Sequence, residues 1–205
     1  HREYRRQRQM CIRDSWWVSD AAVSLTDSAT TFTLHGPDGE QIEASCPLPG
    51  LVNVQNAALA LVMALRAGVP AGTAVTALAG AHNIPGRMQR ISRRDGVRGT
   101  CIVDFAHTPD AMELALKAVR QITPGRLIVV FGSDGDRDRG KRPMLGAIAA
   151  RLADVLVVTD ENPRSEDPQT IRDAVLAGVR SVRPDMRDVE EITTWRGDAV
   201  RRGVE

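Results

Sequence analysis

The pattern that most constrains the fold begins near residue 100, where short apolar runs alternate with longer helix-forming segments. The apolar runs read CIVDF, LIVVFG and VLVVT. Each is followed by a segment of helical composition: TPDAMELALKAVRQI, RPMLGAIAARLA and PQTIRDAVLAGVRSV. Near-continuous apolar strands that alternate with helices are typical of a parallel sheet covered on both faces. The sequence therefore predicts an α/β fold with a Rossmann-like, mostly parallel sheet.

Two helix starts can be predicted from capping residues. Thr108 and Asp167 are good N-cap residues, and each is followed by proline, which is favoured at the first helical position.

The chain before this pattern predicts a hairpin and two helices. Phe32 and Leu34 alternate with polar residues, and GPDG provides the turn. NVQNAALALVMALRAG then predicts a helix, with Asn53 as its cap and Gly68 at its end, and AGTAVTALAGA predicts a shorter one. IPGRMQRI interrupts the helical pattern, so a domain boundary is expected between residues 86 and 87, with a strand beginning near Met88.

Composition excludes several classes of protein. Aromatic residues make up 3% of the chain, so the core must consist of Ala, Val, Leu and Ile. The net charge of +1 gives no reason to expect nucleic-acid binding. No apolar run reaches the roughly 18 residues of a membrane span, so no membrane insertion is expected. Three widely spaced cysteines fit neither a zinc site nor a disulfide framework and indicate reduced thiols in a cytoplasmic protein.

Residues 1–15 have neither a hydrophobic period nor turn chemistry. They are expected to be a non-native or disordered tail, with a flexible basic extension as the alternative, and they are left out of the fold prediction.

Three predicted strands end in charged segments, which read DFAHTPD, GSDGDRDRGKRP and TDENPRSEDP. Ligands of open α/β sheets bind beyond the carboxyl ends of the strands. The three segments are therefore candidates for a common binding site, and ordinary solvated loops are the alternative.

The glycine-rich second segment lacks the spacing of a phosphate-binding P-loop, because Lys141 is followed by Arg142. Its four basic residues favour an anion: Arg137, Arg139, Lys141 and Arg142. Arginine has the planar donor geometry that grips a carboxylate. An exposed cluster of salt bridges is the alternative reading.

The third segment places Asn162 and Arg164 on either side of the rigid Pro163. An amide oxygen can accept from an ammonium group while a guanidinium binds a carboxylate, so the pair is suited to an amino acid. The alternative is a loop whose arginine caps a neighbouring element.

Asp104 and His107 follow the first strand, where a nucleotide contact, a metal-assisted site and a purely structural role all remain open. Asn53 and Asn56 share one face of the upstream helix, and a cap plus a surface amide is the alternative there.

Together these strings resemble the Mur ligases, the ATP-dependent amino-acid-adding enzymes of peptidoglycan synthesis. The resemblance spans residues 48 to about 180 in family order, and it is strongest to the branch that adds diaminopimelate. The most specific string is VVFGSDGDRDRGKRPMLGAIAARLADVLVVTDENPRSEDPQTI, supported by NVQNAALA, IPGRMQRI and VDFAHTPDAMELAL.

The resemblance implies a fragment of a three-domain enzyme. Residues 16–86 would be part of the central ATPase domain, and residues 87–205 a C-terminal amino-acid-binding domain truncated at its end. The P-loop, the carbamylated lysine and the first domain of the family have no counterpart in this sequence, so the fragment alone is expected to be inactive.

The resemblance also implies an activity and its ligands. With ATP and Mg²⁺, the complete enzyme would join meso-diaminopimelate to UDP-N-acetylmuramoyl-L-alanyl-D-glutamate through an acyl phosphate. This activity belongs to cell-wall biogenesis, and thus to cell shape and division. No metal ligand is assigned within residues 1–205, because the Mg²⁺ ligands of the family lie mostly in the part without a counterpart.

The resemblance to the Mur ligases also implies roles for individual residues. Diaminopimelate would be bound by Arg137, Glu161, Asn162, Pro163 and Arg164. The family motif usually begins with aspartate, and here Glu161 takes that place. The nucleotide would be faced by the residues that match the family's nucleotide positions: Asn56, Arg87, Asp104 and His107.

Two other functions fit the same sequence. A folylpolyglutamate synthetase-like ligase shares the arrangement of an ATPase followed by a Rossmann-like domain, but it does not need the pair of segments DRDRGKRP and ENPR. A non-catalytic ligand-binding module is the second alternative.

Overall fold

The computed structural model describes residues 15–23, 29–48, 50–82, 84–91 and 99–205, without the side chains of residues 51 and 52. The expectation for residues 1–15 therefore falls almost entirely outside the described residues. The chain divides into two compact units, one ending at Pro85 and one covering Gly86–Glu205.

The described residues of the first unit form an antiparallel sheet and two helices. Its elements are β1 (Trp17–Val23), β2 (Thr30–His35), β3 (Gln41–Cys46), α1 (Leu51–Arg66) and α2 (Ala71–Ala79). The predicted hairpin is confirmed, since β2 and β3 pair antiparallel with Phe32 opposite Ala44 and Leu34 opposite Ile42. β1, which the sequence pattern did not predict, pairs with β2.

Helix α1 has the predicted extent but a different start. Gly50 is its N-cap, with a φ of 106°, so Asn53 lies inside the first turn and the prediction that Asn53 caps the helix is wrong. A glycine takes this position because a side chain is strained at such a φ. Gly68 follows the helix with a φ of 87°, as a glycine beyond a helix end commonly does.

Two sheets are formed by the part of the second unit that the structure describes. Its elements are β4 (Gln89–Ile91), β5 (Cys101–Val103), α3 (Pro109–Gln121), β6 (Ile128–Phe131), α4 (Lys141–Leu152), β7 (Val155–Thr159), α5 (Pro168–Val182), β8 (Val189–Ile192) and α6 (Arg196–Val204). Strands β6, β7 and β8 form a parallel sheet in that order. The α/β fold with a parallel sheet is therefore confirmed, and so are the caps Thr108 and Asp167.

One strand is paired differently from the prediction. β5 pairs antiparallel with β4 instead of joining the parallel sheet, because the extended residues Gln89–Ile91 satisfy its backbone groups. The third place in the described parallel sheet belongs to β8, whose sequence VEEI is too polar to stand out as a buried strand.

The core of the second unit lies between the parallel sheet and helices α4 and α5. Leu156 and Val158 of β7, like Val175 and Val179 of α5, are fully buried. The two helices pack closely because Gly146 has no side chain: a Cβ there would lie 2.0 Å from the carbonyl oxygen of Val175. This packing fixes the loops that follow β6 and β7 above the same edge of the sheet.

Candidate active site

The loop after β6 and the loop after β7 are bonded directly to each other. The backbone N–H of Gly135 donates to the carbonyl oxygen of Asn162 at 2.8 Å. A Cβ at Gly135 would lie 1.8 Å from the carbonyl oxygen of Pro163, so this approach requires glycine. Asn162 and Pro163 are therefore fixed through their backbone, and the side chain of Asn162 remains exposed.

Side chains extend this contact along both loops. The Ser165 hydroxyl donates to Asp136 Oδ1 at 2.7 Å, and the Asp136 N–H donates to Glu166 Oε1 at 2.7 Å. Hydrogen bonds from the hydroxyl and the backbone N–H of Ser165 lower the pKa of Asp136, and the charge of Arg164 contributes in the same direction. Asp136 is therefore ionised at neutral pH and lies within electrostatic reach of Arg164.

The centre of this contact is a buried ion pair. Arg142 is 1% exposed, and its two terminal nitrogens donate to the two carboxylate oxygens of Glu166 at 3.0 and 2.7 Å. One of these nitrogens also donates to the carbonyl oxygen of Asp134 at 3.2 Å. The hydrogen bonds from Arg142, aided by the backbone N–H of Asp136, lower the pKa of Glu166 to about 2. We call Arg142, Glu166, Asp136 and Ser165 the loop clamp.

A second buried arginine holds the start of the β7 loop. Arg172, which is 6% exposed, donates to Asp160, and its Nε donates to Glu191 of β8 at 2.7 Å. Burial lowers the pKa of Arg172, but the hydrogen bonds that it donates to Glu191 and Asp160, together with the charges of these carboxylates, outweigh burial and raise it. Residues 161–165 are therefore held at one end through Asp160 and at the other through Glu166.

The two predicted carboxylate-binding arginines flank the loop clamp. Arg137 follows Asp136 and Arg164 precedes Ser165, so the Asp136–Ser165 hydrogen bonds bring their backbones together. Both side chains are exposed, and Arg137 Nη1 donates to the carbonyl oxygen of Asp136 at 3.2 Å. Glu161 and Pro163, which precede Arg164 in the chain, are half-buried. This edge presents two cations and one amide to solvent, which is a chemistry suited to an amino acid with an extra carboxylate.

Three of the four residues predicted to face a nucleotide, Arg87, Asp104 and His107, form a separate group in the second unit. The Arg87 guanidinium carbon lies 5.4 Å from the centroid of the exposed Phe105 ring, and the His107 ring meets Phe105 edge-on at 5.3 Å. His107 Nδ1 lies 3.1 Å from the carbonyl oxygen of Phe105. Because a carbonyl only accepts, Nδ1 carries the proton in this contact.

Asp104 shapes this group through its backbone contacts. Its two carboxylate oxygens accept from the N–H groups of Met88 at 2.7 Å and Ala106 at 2.9 Å. Both oxygens therefore organise the loop around Phe105. Asn56, the remaining predicted residue, is exposed on α1 in the first unit.

Lys141 connects the two groups of loops. Its side chain is buried, and Nζ donates to the carbonyl oxygen of His107 at 3.0 Å. The loop after β5 thus reaches the amino end of α4, although β5 itself is outside the parallel sheet. The described residues contain no group of three or more His, Cys, Asp and Glu side chains that could hold a metal ion.

A family model described as Mur ligase, glutamate ligase domain, matches residues 86–204, which are more than half of the chain. The chain belongs to the Mur ligase family.

Curated relatives narrow the position within the Mur ligases. The chain is 47% identical over 182 residues to the UDP-N-acetylmuramyl-tripeptide synthetase of Leifsonia xyli, covering 86% of this chain and 34% of the relative. It is 43% identical over 180 residues to the UDP-N-acetylmuramoyl-L-alanyl-D-glutamate–2,6-diaminopimelate ligase of Thermosynechococcus vestitus, covering 83% and 36%. The chain therefore spans about a third of the length of these Mur ligases.

Solved structures agree with this assignment. A structure of a UDP-N-acetylmuramoyl-L-alanyl-D-glutamate–2,6-diaminopimelate ligase matches with a TM-score of 0.57 at 34% identity, covering 89% of this chain and 36% of that one. The folylpolyglutamate synthase of Mycobacterium tuberculosis, solved with ADP and AMPPCP, matches with a TM-score of 0.71 at 24% identity, covering 92% and 40%. At that identity the second likeness shows a shared fold.

Sequence reasoning about this Mur ligase chain missed the loop clamp and Phe105. Glu166 directly precedes the helix cap Asp167, and a charged residue at that position is typical of a solvated segment before a helix. The signal for Arg142 was a second cation, directly after Lys141, in the first turn of a helix that is mainly apolar between Pro143 and Ala150. The signal for Phe105 was an aromatic residue directly after a strand in a chain with only three phenylalanines.

Proposed function

We propose that this chain is the amino-acid-binding part of an ATP-dependent ligase that adds meso-diaminopimelate to UDP-N-acetylmuramoyl-L-alanyl-D-glutamate. The observation that carries this proposal is the bonded pair of loops, in which Asp136, the neighbour of Arg137, bonds Ser165, the neighbour of Arg164. The names of relatives at 43% identity support the same substrate.

The activity would belong to peptidoglycan synthesis in the cytoplasm, where the free thiols of Cys46 and Cys101 fit a reducing environment. None of the described helices is long and apolar enough to span a membrane.

In this proposal the residues of the chain position the attacking amine. Arg137 and Arg164 bind the distal carboxylate of the diamino acid with charge-assisted hydrogen bonds, and the Asn162 amide oxygen accepts from the neighbouring ammonium group. The free amine at the other end then faces the activated γ-carboxylate of the D-glutamyl substrate. Holding the two reactants in this geometry lowers the entropic part of the barrier.

The nucleotide would be placed against the second group of residues. ATP supplies the phosphoryl group that converts the substrate carboxylate into an acyl phosphate. The exposed Phe105 ring with Arg87 beside it offers an aromatic and cationic surface that fits a nucleotide. The described residues offer no group of ligands for Mg²⁺, so no step here is assigned to the metal.

The first test is a comparison of amine substrates in the full-length enzyme that contains this sequence. With ATP and UDP-N-acetylmuramoyl-L-alanyl-D-glutamate, we expect faster product formation from meso-diaminopimelate than from L-lysine or L-glutamate, followed by mass spectrometry. A preference for L-glutamate would favour a folylpolyglutamate synthetase-like ligase. Binding of diaminopimelate without any ATP-dependent product would favour a non-catalytic module.

The second test is Arg164→Ala in the same enzyme. Loss of a desolvated charge pair should cost about 2–5 kcal/mol in kcat/KM for diaminopimelate. This corresponds to about thirtyfold to several thousandfold. The rate with L-lysine, which lacks the distal carboxylate, should change much less.

Arg187→Ala is the matched control for this variant. Arg187 is an exposed arginine that precedes β8, at the amino end of the parallel sheet, so its loss should leave both substrates unaffected. A loss below about threefold for Arg164→Ala would contradict the assignment of the carboxylate site.

A further inference from the structure

The binding loops contain two residues in an unfavourable backbone conformation. Asp136 has a φ of 51° and Arg164 a φ of 53°, in the left-handed region that residues with a side chain rarely adopt. Such conformations persist only where surrounding contacts determine them. The contacts at these positions are those of the loop clamp, since Asp136 accepts from Ser165 and donates through its N–H to Glu166.

Arg142 is the residue on which these contacts converge. It lies on α4, bonds Asp134 in the β6 loop and binds both carboxylate oxygens of Glu166 in the β7 loop. One buried guanidinium therefore joins a helix and both binding loops. Arg139 also reaches Glu166, at 3.2 Å, but its side chain is 75% exposed, so solvent screens that contact.

We propose that the Arg142–Glu166 pair positions the amino-acid-binding loops in their binding geometry before the diamino acid arrives. Neither residue is expected to touch the substrate. The pair fixes the φ of Asp136 and Arg164, and thereby the directions from which Arg137 and Arg164 approach a carboxylate. This inference rests on the proposed function, because it assigns the pair to the amine-substrate side of that reaction.

A positioning role predicts a selective kinetic effect. A displacement of about 1 Å at a binding residue can reduce catalysis by about hundredfold. In the full-length enzyme, Arg142→Lys and Glu166→Gln should each raise the KM for the amine substrate about tenfold to hundredfold, because lysine and glutamine cannot reproduce the two-bond ion pair. The KM for ATP should stay within about twofold, because the pair bonds only the β6 and β7 loops among the contacts described.

The matched control is another two-bond arginine–glutamate pair in the same unit. Arg202 donates to Glu190 at 2.7 and 2.6 Å, and both side chains are more than a third exposed. Arg202→Lys makes the same chemical change away from the loops and should alter neither KM. Comparable losses for Arg202→Lys and Arg142→Lys would overturn the proposal.

Ser165→Ala provides a variant that leaves the buried pair intact. It removes the exposed hydroxyl that bonds Asp136, so the KM for the amine should rise about threefold while the melting temperature changes little. This variant decides the question if the Arg142 or Glu166 variants fail to fold. An unchanged KM for the amine, or an equal rise in the KM for ATP, would overturn the proposal.

The outcomes also separate this inference from the proposed function. The amine used is the one that the wild-type enzyme prefers, whether diaminopimelate, L-lysine or L-glutamate. A preference for L-lysine with a selective effect of Arg142→Lys would reject the diaminopimelate assignment and keep the positioning role. A preference for diaminopimelate without a selective effect of Arg142→Lys would keep the diaminopimelate assignment and reject the positioning role.

Discussion

The two groups of candidate residues in the second unit are held in different ways. The loops after β6 and β7 are joined by a buried ion pair and a series of hydrogen bonds between residues 24 to 30 positions apart. The loop after β5 has no such ion pair among its described contacts and is held by separate hydrogen bonds, such as those of Asp104 with Met88 and Ala106 and of His107 with Lys141. Phe105 and His107 in this loop, like the neighbouring Arg87, are exposed. Under the proposed function, the loops after β6 and β7 would form one preorganised binding edge, whereas the β5 loop would provide a surface for a ligand to cover.

The largest effect on the contact between the β6 and β7 loops is expected from Gly135→Ala in the full-length enzyme. A Cβ at Gly135 would meet the backbone of Pro163, and backbone cannot move aside as a flexible side chain can. We expect the two loops to separate and kcat/KM for diaminopimelate to fall about hundredfold, measured by steady-state kinetics.

Gly125→Ala is the matched control, because a Cβ at Gly125 has open space around it. Its kinetics and melting temperature should stay close to those of the wild type. A Gly135→Ala enzyme with unaltered diaminopimelate kinetics would show that the close contact of the loops is not needed.

Asp104→Asn is expected to have a smaller effect, and to act on the residues that are predicted to face the nucleotide. Asparagine offers one acceptor oxygen in place of two, so the N–H of Met88 or Ala106 loses its partner. A hydrogen bond lost in this way costs about 1–3 kcal/mol, and we expect the KM for ATP to rise about tenfold. The KM for diaminopimelate should stay within about twofold.

Asp110→Asn, which changes an exposed aspartate in the first turn of α3, is the control for this variant. Equal changes in both KM values for Asp104→Asn would mean that the two groups of residues are not independent.

The mildest test follows the ionisation of Glu166. Its pKa is lowered to about 2 in the folded protein, so its contribution to stability is complete above its ordinary pKa near 4.5. That contribution declines as the pH falls below about 4.5 and is gone once the pH has fallen through about 2. The carboxyl carbon shift of Glu166, followed by NMR from pH 7 downward, should therefore show an ionised group as long as the fold persists. A midpoint above pH 4 in the folded protein would mean that the ion pair with Arg142 is weak in solution.

Much of the architecture followed from the sequence. The alternation of apolar strands with helices, the caps Thr108 and Asp167 and the hairpin around GPDG depend on residues close together in the chain, and each is confirmed. Local sequence patterns did not predict how β5 and β8 pair. β5 paired with β4, and the polar strand β8 completed the described parallel sheet.

For the candidate site, the sequence by itself determined the chemistry: guanidinium groups, an amide and acids after strands of a parallel sheet, in strings that resemble the Mur ligases. Residues 137 and 161–164 could be chosen because their types and order carry that information. Only the tertiary structure decided which of the many charged residues hold the loops and which face solvent. Arg137 in the β6 loop and Arg142 in the first turn of α4 are close in the chain, yet Arg142 is 1% exposed and Arg137 is exposed. Burial of that kind depends on the packing of α4 against α5 and on a glutamate 24 residues further along, and no local pattern records either.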